Sequence, residues 1–276
     1  GPFDFERSLP EEVEANLRAA YNLDDPVYLQ LFKYIGDLLQ GDFGPSFQYR
    51  DYTVTELIAT GFPVSLRLGT AAIFLALIFG SIIGSVAALN QNSKLDYSVM
   101  FFGMIGISIP NFVMAPLLVL FFSIGLKALP AGGYNGGDFY HMVLPVVSLA
   151  LPQMAYIARL TRGSMIEVLS SNFVRTAKAQ GLPTRSILLK HVLKPTLLPV
   201  VSYLGPATAA IITGSVVVEQ IFGLPGLGRY FVQGALNRDY TLVMGVVVFY
   251  GCLIILFNLI VDTLYGFIDP RIKQNR

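Results

Sequence analysis

The sequence predicts an all-α integral membrane protein. Of its 276 residues, 54% are hydrophobic and only 13% charged, against about 25% charged in an ordinary soluble domain. Five apolar runs reach bilayer length, since roughly 20 residues at 1.5 Å each cross a ~30 Å hydrocarbon core. The charges are segregated between those runs rather than mixed among them.

Residues 1–63 read as an extracytoplasmic segment of short amphipathic helices. Ser8 with Glu11 fits a capping box, with Pro10 in the first turn of "EEVEANLRAAY". In "DDPVYLQLFKYIGDLLQG", Asp25 is the expected cap, Pro26 the start and Gly41 the stop. Val27, Leu31, Tyr34, Ile35 and Leu38 recur there on one face. "GDFGPSFQYRDY" is a turn-rich connection to the membrane.

Residues 64–276 form the transmembrane domain, with expected spans at about 64–89, 97–124, 141–159, 195–221 and 240–268 and a cytoplasmic loop at 160–194. Pro110, Pro116, Pro145, Pro152, Pro199 and Pro206 fall within spans, where neighbouring helices satisfy the freed carbonyls. The 160–194 loop and its flanks carry Arg159, Arg162, Arg175, Lys178, Arg185, Lys190 and Lys194 against one acid, Glu167. The tail "DPRIKQNR" is basic too. The positive-inside rule puts both in the cytoplasm, two spans apart. The N-terminal 63 residues then fall outside, with four basic against eleven acidic residues. An outside start with no means of delivery predicts a further span before Gly1.

Several chemistries are excluded. No G-x-x-x-x-G-K-[ST], H-E-x-x-H or G-x-S-x-G occurs, so the expectation is no enzyme and no nucleotide bound by a P-loop. His141 and His191 lack further ligands at metal spacing, and Cys252 is the only cysteine.

The stretch "VRTAKAQGLPTRSILLKHVLKP" carries six basic or histidine side chains and no acid. Asn172 is a plausible N-cap, Gly181 can adopt the left-handed conformation that ends a helix, and Pro183 can open the next. The reading is helix, sharp turn, helix at the cytoplasmic surface. On composition alone, a hairpin on anionic headgroups stands equally open.

This stretch resembles the cytoplasmic loop of permease subunits of ATP-binding-cassette (ABC) importers. That pattern is Glu-Ala-Ala, three residues, Gly, then Ile-x-Leu-Pro nine residues on. Ala177, Gly181 and Leu193 match it; Arg175 and Thr176 replace Glu and the first Ala, His191 replaces Ile, and Pro195 comes one residue late. With "GDFGPS", "ARLTRGSMIEVLSSNFVRTAKAQGLP", "VVVEQIFGLPGLGRYFVQGALNRDY" and "VDTLYGFIDPRI", the chain resembles B-type membrane subunits of oligopeptide permeases, in the dipeptide and nickel permease family. Arg-Thr-Ala is the usual form in the peptide-transporting branch.

The resemblance implies a type I ABC importer transmembrane domain. It implies a second permease subunit, two ATP-binding subunits that hold the ATP, a peptide-binding protein outside, and a Gram-negative inner membrane. The chain itself needs no cofactor. Arg175, Thr176, Ala177, Lys178, Ala179, Gln180, Gly181, Leu182 and Pro183 become the candidate ATPase-coupling loop. "EQIFGLPGLGR" becomes a candidate outer gate or docking element through Glu219, Gly223, Pro225, Gly226, Gly228 and Arg229; equally, its glycines and prolines suit a plain loop. Glu219 at a span end is expected to face water or to pair with Arg229 or Arg238. Gly80 and Gly84 form a G-x-x-x-G, common in membrane helices. The alternative class is a secondary transporter or channel without ATPases, which predicts inverted repeats and mid-membrane ionisable residues.

Overall fold

The computed structural model describes residues 24–49 and 51–268. The Ser8–Glu11 capping box and the tail from Asp269 lie outside them. Every regular element among the described residues is helical, with one isolated bridge between Pro45 and Thr53.

Helix α1, Val27–Leu39, has Pro26 rather than Asp25 at its N-cap. Asp25 still serves the first turns: its carbonyl accepts from the Gln30 side chain at 2.8 Å and its carboxylate pairs with Lys33 at 2.6 Å. No α1 residue is fully buried.

Helix α2, Val54–Leu89, starts ten residues before the expected span and runs through Pro63. The reason is a capping box that the apolar run concealed. The Thr53 hydroxyl accepts from the Glu56 amide at 3.2 Å, and the Glu56 carboxylate accepts from the Thr53 amide at 2.8 Å. Its 36 residues give a length of about 54 Å, more than a ~30 Å hydrocarbon core needs.

The expected span 97–124 is not one rod. Helix α3, Lys94–Ser108, and helix α4, Asn111–Leu118, which continues as a π-helical turn to Gly125, are bent by 107°. Pro110 forces the break, because the preceding Ile109 must be extended and is, at φ −81° and ψ 118°.

Helix α5, Phe139–Ser170, begins at Asp138, whose carboxylate accepts from the His141 amide at 2.9 Å. That bond holds the Asp138 carboxyl below its ordinary range. The helix passes the expected end at 159 and takes eleven residues of the expected loop. Arg159 and Arg162 are helical residues, and their charge alone suggested a loop. Helix α6, Asn172–Ala179, follows at once. A turn at Thr184–Ser186 and a π-helical segment, Ile187–Val192, lead into α7, Leu193–Gly214. The expected span 195–221 therefore starts earlier and breaks at Ser215, where α8, Val216–Phe222, begins. Helices α9, Leu227–Leu236, and α10, Tyr240–Ile268, complete the described chain.

The core is α2 against α5, with α7 and α8 beside them; Leu68, Ala72, Ala76, Leu144, Leu149, Ile157, Phe222 and Leu224 are buried there. Gly80 and Gly84 make this approach possible. A Cβ on Gly80 would stand 2.8 Å from the Met154 carbonyl oxygen, and one on Gly84 would overlap the Ala158 carbonyl. Small residues let helix backbones approach where lipid supplies no hydrophobic drive. Smaller clusters close the two ends: Val54, Leu57, Ile58, Leu227, Leu242 and Val246 at one, and Ala88, Met165, Val174, Ala177, Ile187 and Val192 at the other.

Candidate functional site

At the end where α5 meets α6, α6 closes in a Schellman turn. The Leu182 amide donates to the Ala177 carbonyl at 3.3 Å and the Gly181 amide to the Lys178 carbonyl at 3.0 Å. Gly181 sits at φ +77°, the left-handed region glycine favours. Pro183 then caps the next helical turn, its carbonyl accepting from the Ser186 and Ile187 amides.

This geometry splits the nine candidate residues. Ala177 is buried with Val174, Ile187, Val192, Met165 and Ala88. Arg175, Thr176, Lys178, Ala179, Gln180, Gly181, Leu182 and Pro183 are exposed. Phe173 (49% exposed) and Leu182 (38%) put apolar surface on the open side. Sequence reasoning missed Phe173. Its signal is helical phase: Val174 and Ala177 define the buried face, leaving Phe173 off it.

A second missed feature braces this end. The Arg162 guanidinium binds Asp96 bidentately, Nε to Oδ1 at 2.5 Å and Nη2 to Oδ2 at 2.6 Å. Asp96 is buried and also accepts from the Asn92 amide at 3.0 Å. The start of α3 is thereby tied to α5 three residues before Met165, which packs with Val174 and Ala177.

Toward the opposite end, Glu219 is fully buried. It neither faces water nor takes the Arg229 guanidinium; its described partners are hydroxyls and a backbone amide. Ser65 Oγ donates to Oε1 at 2.7 Å, the Ser215 hydroxyl donates to the same oxygen, and the Arg229 amide donates to Oε2 at 3.3 Å. Ser65 Oγ in turn accepts from the Leu227 amide at 2.9 Å. Gly226 and Gly228 lie against the carboxylate: a Cβ on Gly228 would stand 2.9 Å from Oε2, and one on Gly226 would overlap the carboxyl carbon. Gly223, at φ +66°, ends α8 in the left-handed region, and Pro225 follows in the turn. So α8, the glycine turn and the start of α9 form one unit, bonded to α2 through Ser65.

Asp239, unremarked in the sequence, organises the rim on the α2 N-terminal side. Buried at the start of α10, it accepts from the Leu242 amide at 3.1 Å and the Thr241 hydroxyl at 3.0 Å. It also accepts from the Phe47 and Gln48 amides at 3.1 and 3.2 Å and from the Ser46 hydroxyl. The end of "GDFGPS" is thus pinned to the last span.

Residues 80–274 match the family described as binding-protein-dependent transport system inner membrane component. The chain belongs to this family. It is 59% identical over 272 residues to the oligopeptide transport system permease protein OppB of Escherichia coli strain K12, covering 99% of this chain and 89% of that protein. With the dipeptide transport system permease protein DppB of Bacillus subtilis strain 168 it shares 46% identity over 275 residues, covering 100% and 89%. Its fold matches the inward-facing MetNI methionine ABC transporter at a TM-score of 0.67 and 19% identity, over 77% of this chain and 96% of that one. A second ABC transporter, for amino acids, matches at a TM-score of 0.59 and 15% identity, over 76% and 94%. The fold is therefore that of a type I ABC importer transmembrane domain. The family is one of multi-pass inner-membrane permeases, not of enzymes.

Proposed function

We propose that the chain is a permease subunit of an ABC peptide importer, forming the translocation pathway with a second, homologous permease. Oligopeptides are the substrate class, from the 59% identity to OppB. The observation that carries the mechanism is α6: a short helix stiffened by its Schellman turn, with one face packed into the inner cluster and the other open.

The open face, from Arg175 to Pro183 with Phe173 beside it, docks on one of two ATP-binding subunits at the cytoplasmic side. Its basic side chains steer that contact. Closure of the ATPases around ATP displaces α6, and Val174 and Ala177 pass the displacement to α5 and α2. Only an ATPase state that binds this face differently can shift the inward–outward equilibrium. At the far end, the Glu219 unit moves with α2 and gates the outer mouth. Residues before Val54 lie outside and, with the glycine turn, meet a peptide-binding protein.

The test is reconstitution of this chain with its companion permease, ATPase pair and binding protein in liposomes. ATP-dependent uptake of labelled oligopeptide is the expected result. Uptake by the chain without ATPases would instead support a secondary transporter.

A further inference from the structure

Helix faces divide by what they expose. On α2, α3 and α10, large apolar side chains face outward, among them Phe74, Phe79, Phe101, Phe102, Ile255 and Leu259. That is a lipid-facing composition. From His141 to Ser170 on α5, and from Lys194 to Thr213 on α7, no large hydrophobic side chain is exposed. What α5 exposes over its inner half is Arg159, Gly163, Glu167 and Ser170. On α7 it is Lys194, Pro199, Ser202, Pro206 and Ala210.

On this face four side chains form a polar and aromatic cluster. The Tyr203 hydroxyl of α7 donates to Gln153 Oε1 of α5 at 2.5 Å. The Tyr203 and Tyr156 rings are stacked, with centroids 4.3 Å apart and planes at 28°. The Arg159 guanidinium lies over Tyr156, 5.1 Å from the ring centre. Arg162, three residues on, has its carboxylate in Asp96; Arg159 has none within ion-pairing distance among the described residues. Arg159 is about 4.5 Å further toward the membrane centre than Arg162. Arg159 stands 20 residues, about 30 Å, along α5 from Phe139, at the end of the hydrocarbon-spanning stretch, where an arginine reaches water and keeps its charge.

Resting on the peptide-importer reading, we infer that Arg159, set by Tyr156, Tyr203 and Gln153, is a station on the pathway wall that takes the carboxylate of the passing peptide. Peptides of every sequence share a C-terminal carboxylate, and a guanidinium receives one with two parallel N–H donors. Stacking on Tyr156 holds the guanidinium in place without consuming its charge.

The test uses the whole reconstituted importer, native and with Arg159→Gln, on one peptide with a free C-terminus and the same peptide amidated. Uptake of the free acid by the variant should fall about tenfold relative to native, while uptake of the amide changes by less than about twofold. Arg159→Lys, which keeps the charge but lacks the two-donor fork and the stack on Tyr156, should recover only part of the loss. Equal loss for both peptides, or no loss for either, overturns the inference. So does loss of the companion permease from purified Arg159→Gln importer, since the arginine then pairs with that subunit. If the native importer takes up neither peptide, the peptide-importer reading itself fails, a result distinct from a native importer whose variant does not discriminate.

Discussion

Asp239 accepts from five donors on two segments more than 190 positions apart. Replacing it with alanine leaves the Phe47, Gln48 and Leu242 amides without their acceptor. Hydrogen bonds to a charged group contribute about 1.5–3 kcal/mol each, and orphaned donors add a desolvation cost, so Asp239→Ala should destabilise the protein by roughly 3 kcal/mol or more. Thermal unfolding in detergent checks this; a melting temperature equal to native would contradict it. Neither this hub nor the Asp96–Arg162 brace was legible in the sequence. Ser46 and Asp239, or Asp96 and Arg162, have no fixed spacing that announces a contact. Glu219 stood out because a carboxylate in an apolar run demands an explanation, but its partners are hydroxyls and an amide, groups too common to mark a pair.

At the scale of helices, the closest contact is α2 on α5. Gly84→Val should break it, because any Cβ there meets the Ala158 backbone, and backbone cannot give way as a flexible side chain can. Gly163→Ala, on the same α5 helix with open space around it, should be neutral or stabilising by up to about 1 kcal/mol from helix propensity. Yields of folded protein and melting temperatures separate the two; equal tolerance would contradict the packing. The existence of the spans was legible because apolar length is a strong signal. Their ends were less so. The Thr53–Glu56 capping box sits ten residues outside the apolar run it starts, and Arg159 and Arg162 carry the charge of a loop while lying within α5. The Pro110 break was legible as a kink but not as a 107° turn, since proline fixes where the hydrogen-bond ladder fails and packing fixes the angle.

For the whole molecule, the Ala88–Val174 cluster and the Glu219 unit meet α2 at its C-terminal end and in its N-terminal third, joined by a tightly packed α2–α5 core. A rigid core of this kind turns displacement at one end into movement at the other. The turn that closes α6 was legible residue by residue, since Gly181 and Pro183 fix it through their own backbone restrictions. Which of its side chains face outward was not, because that depends on the cluster around Ala88 and Met165. The measurement that tests the coupling claim most directly is peptide uptake and ATP hydrolysis by the reconstituted importer carrying Leu182→Asp, an exposed change that leaves the buried face intact. The account predicts that the ATP-binding subunits detach or hydrolyse ATP without uptake. Native uptake with that charge on the open face would contradict it.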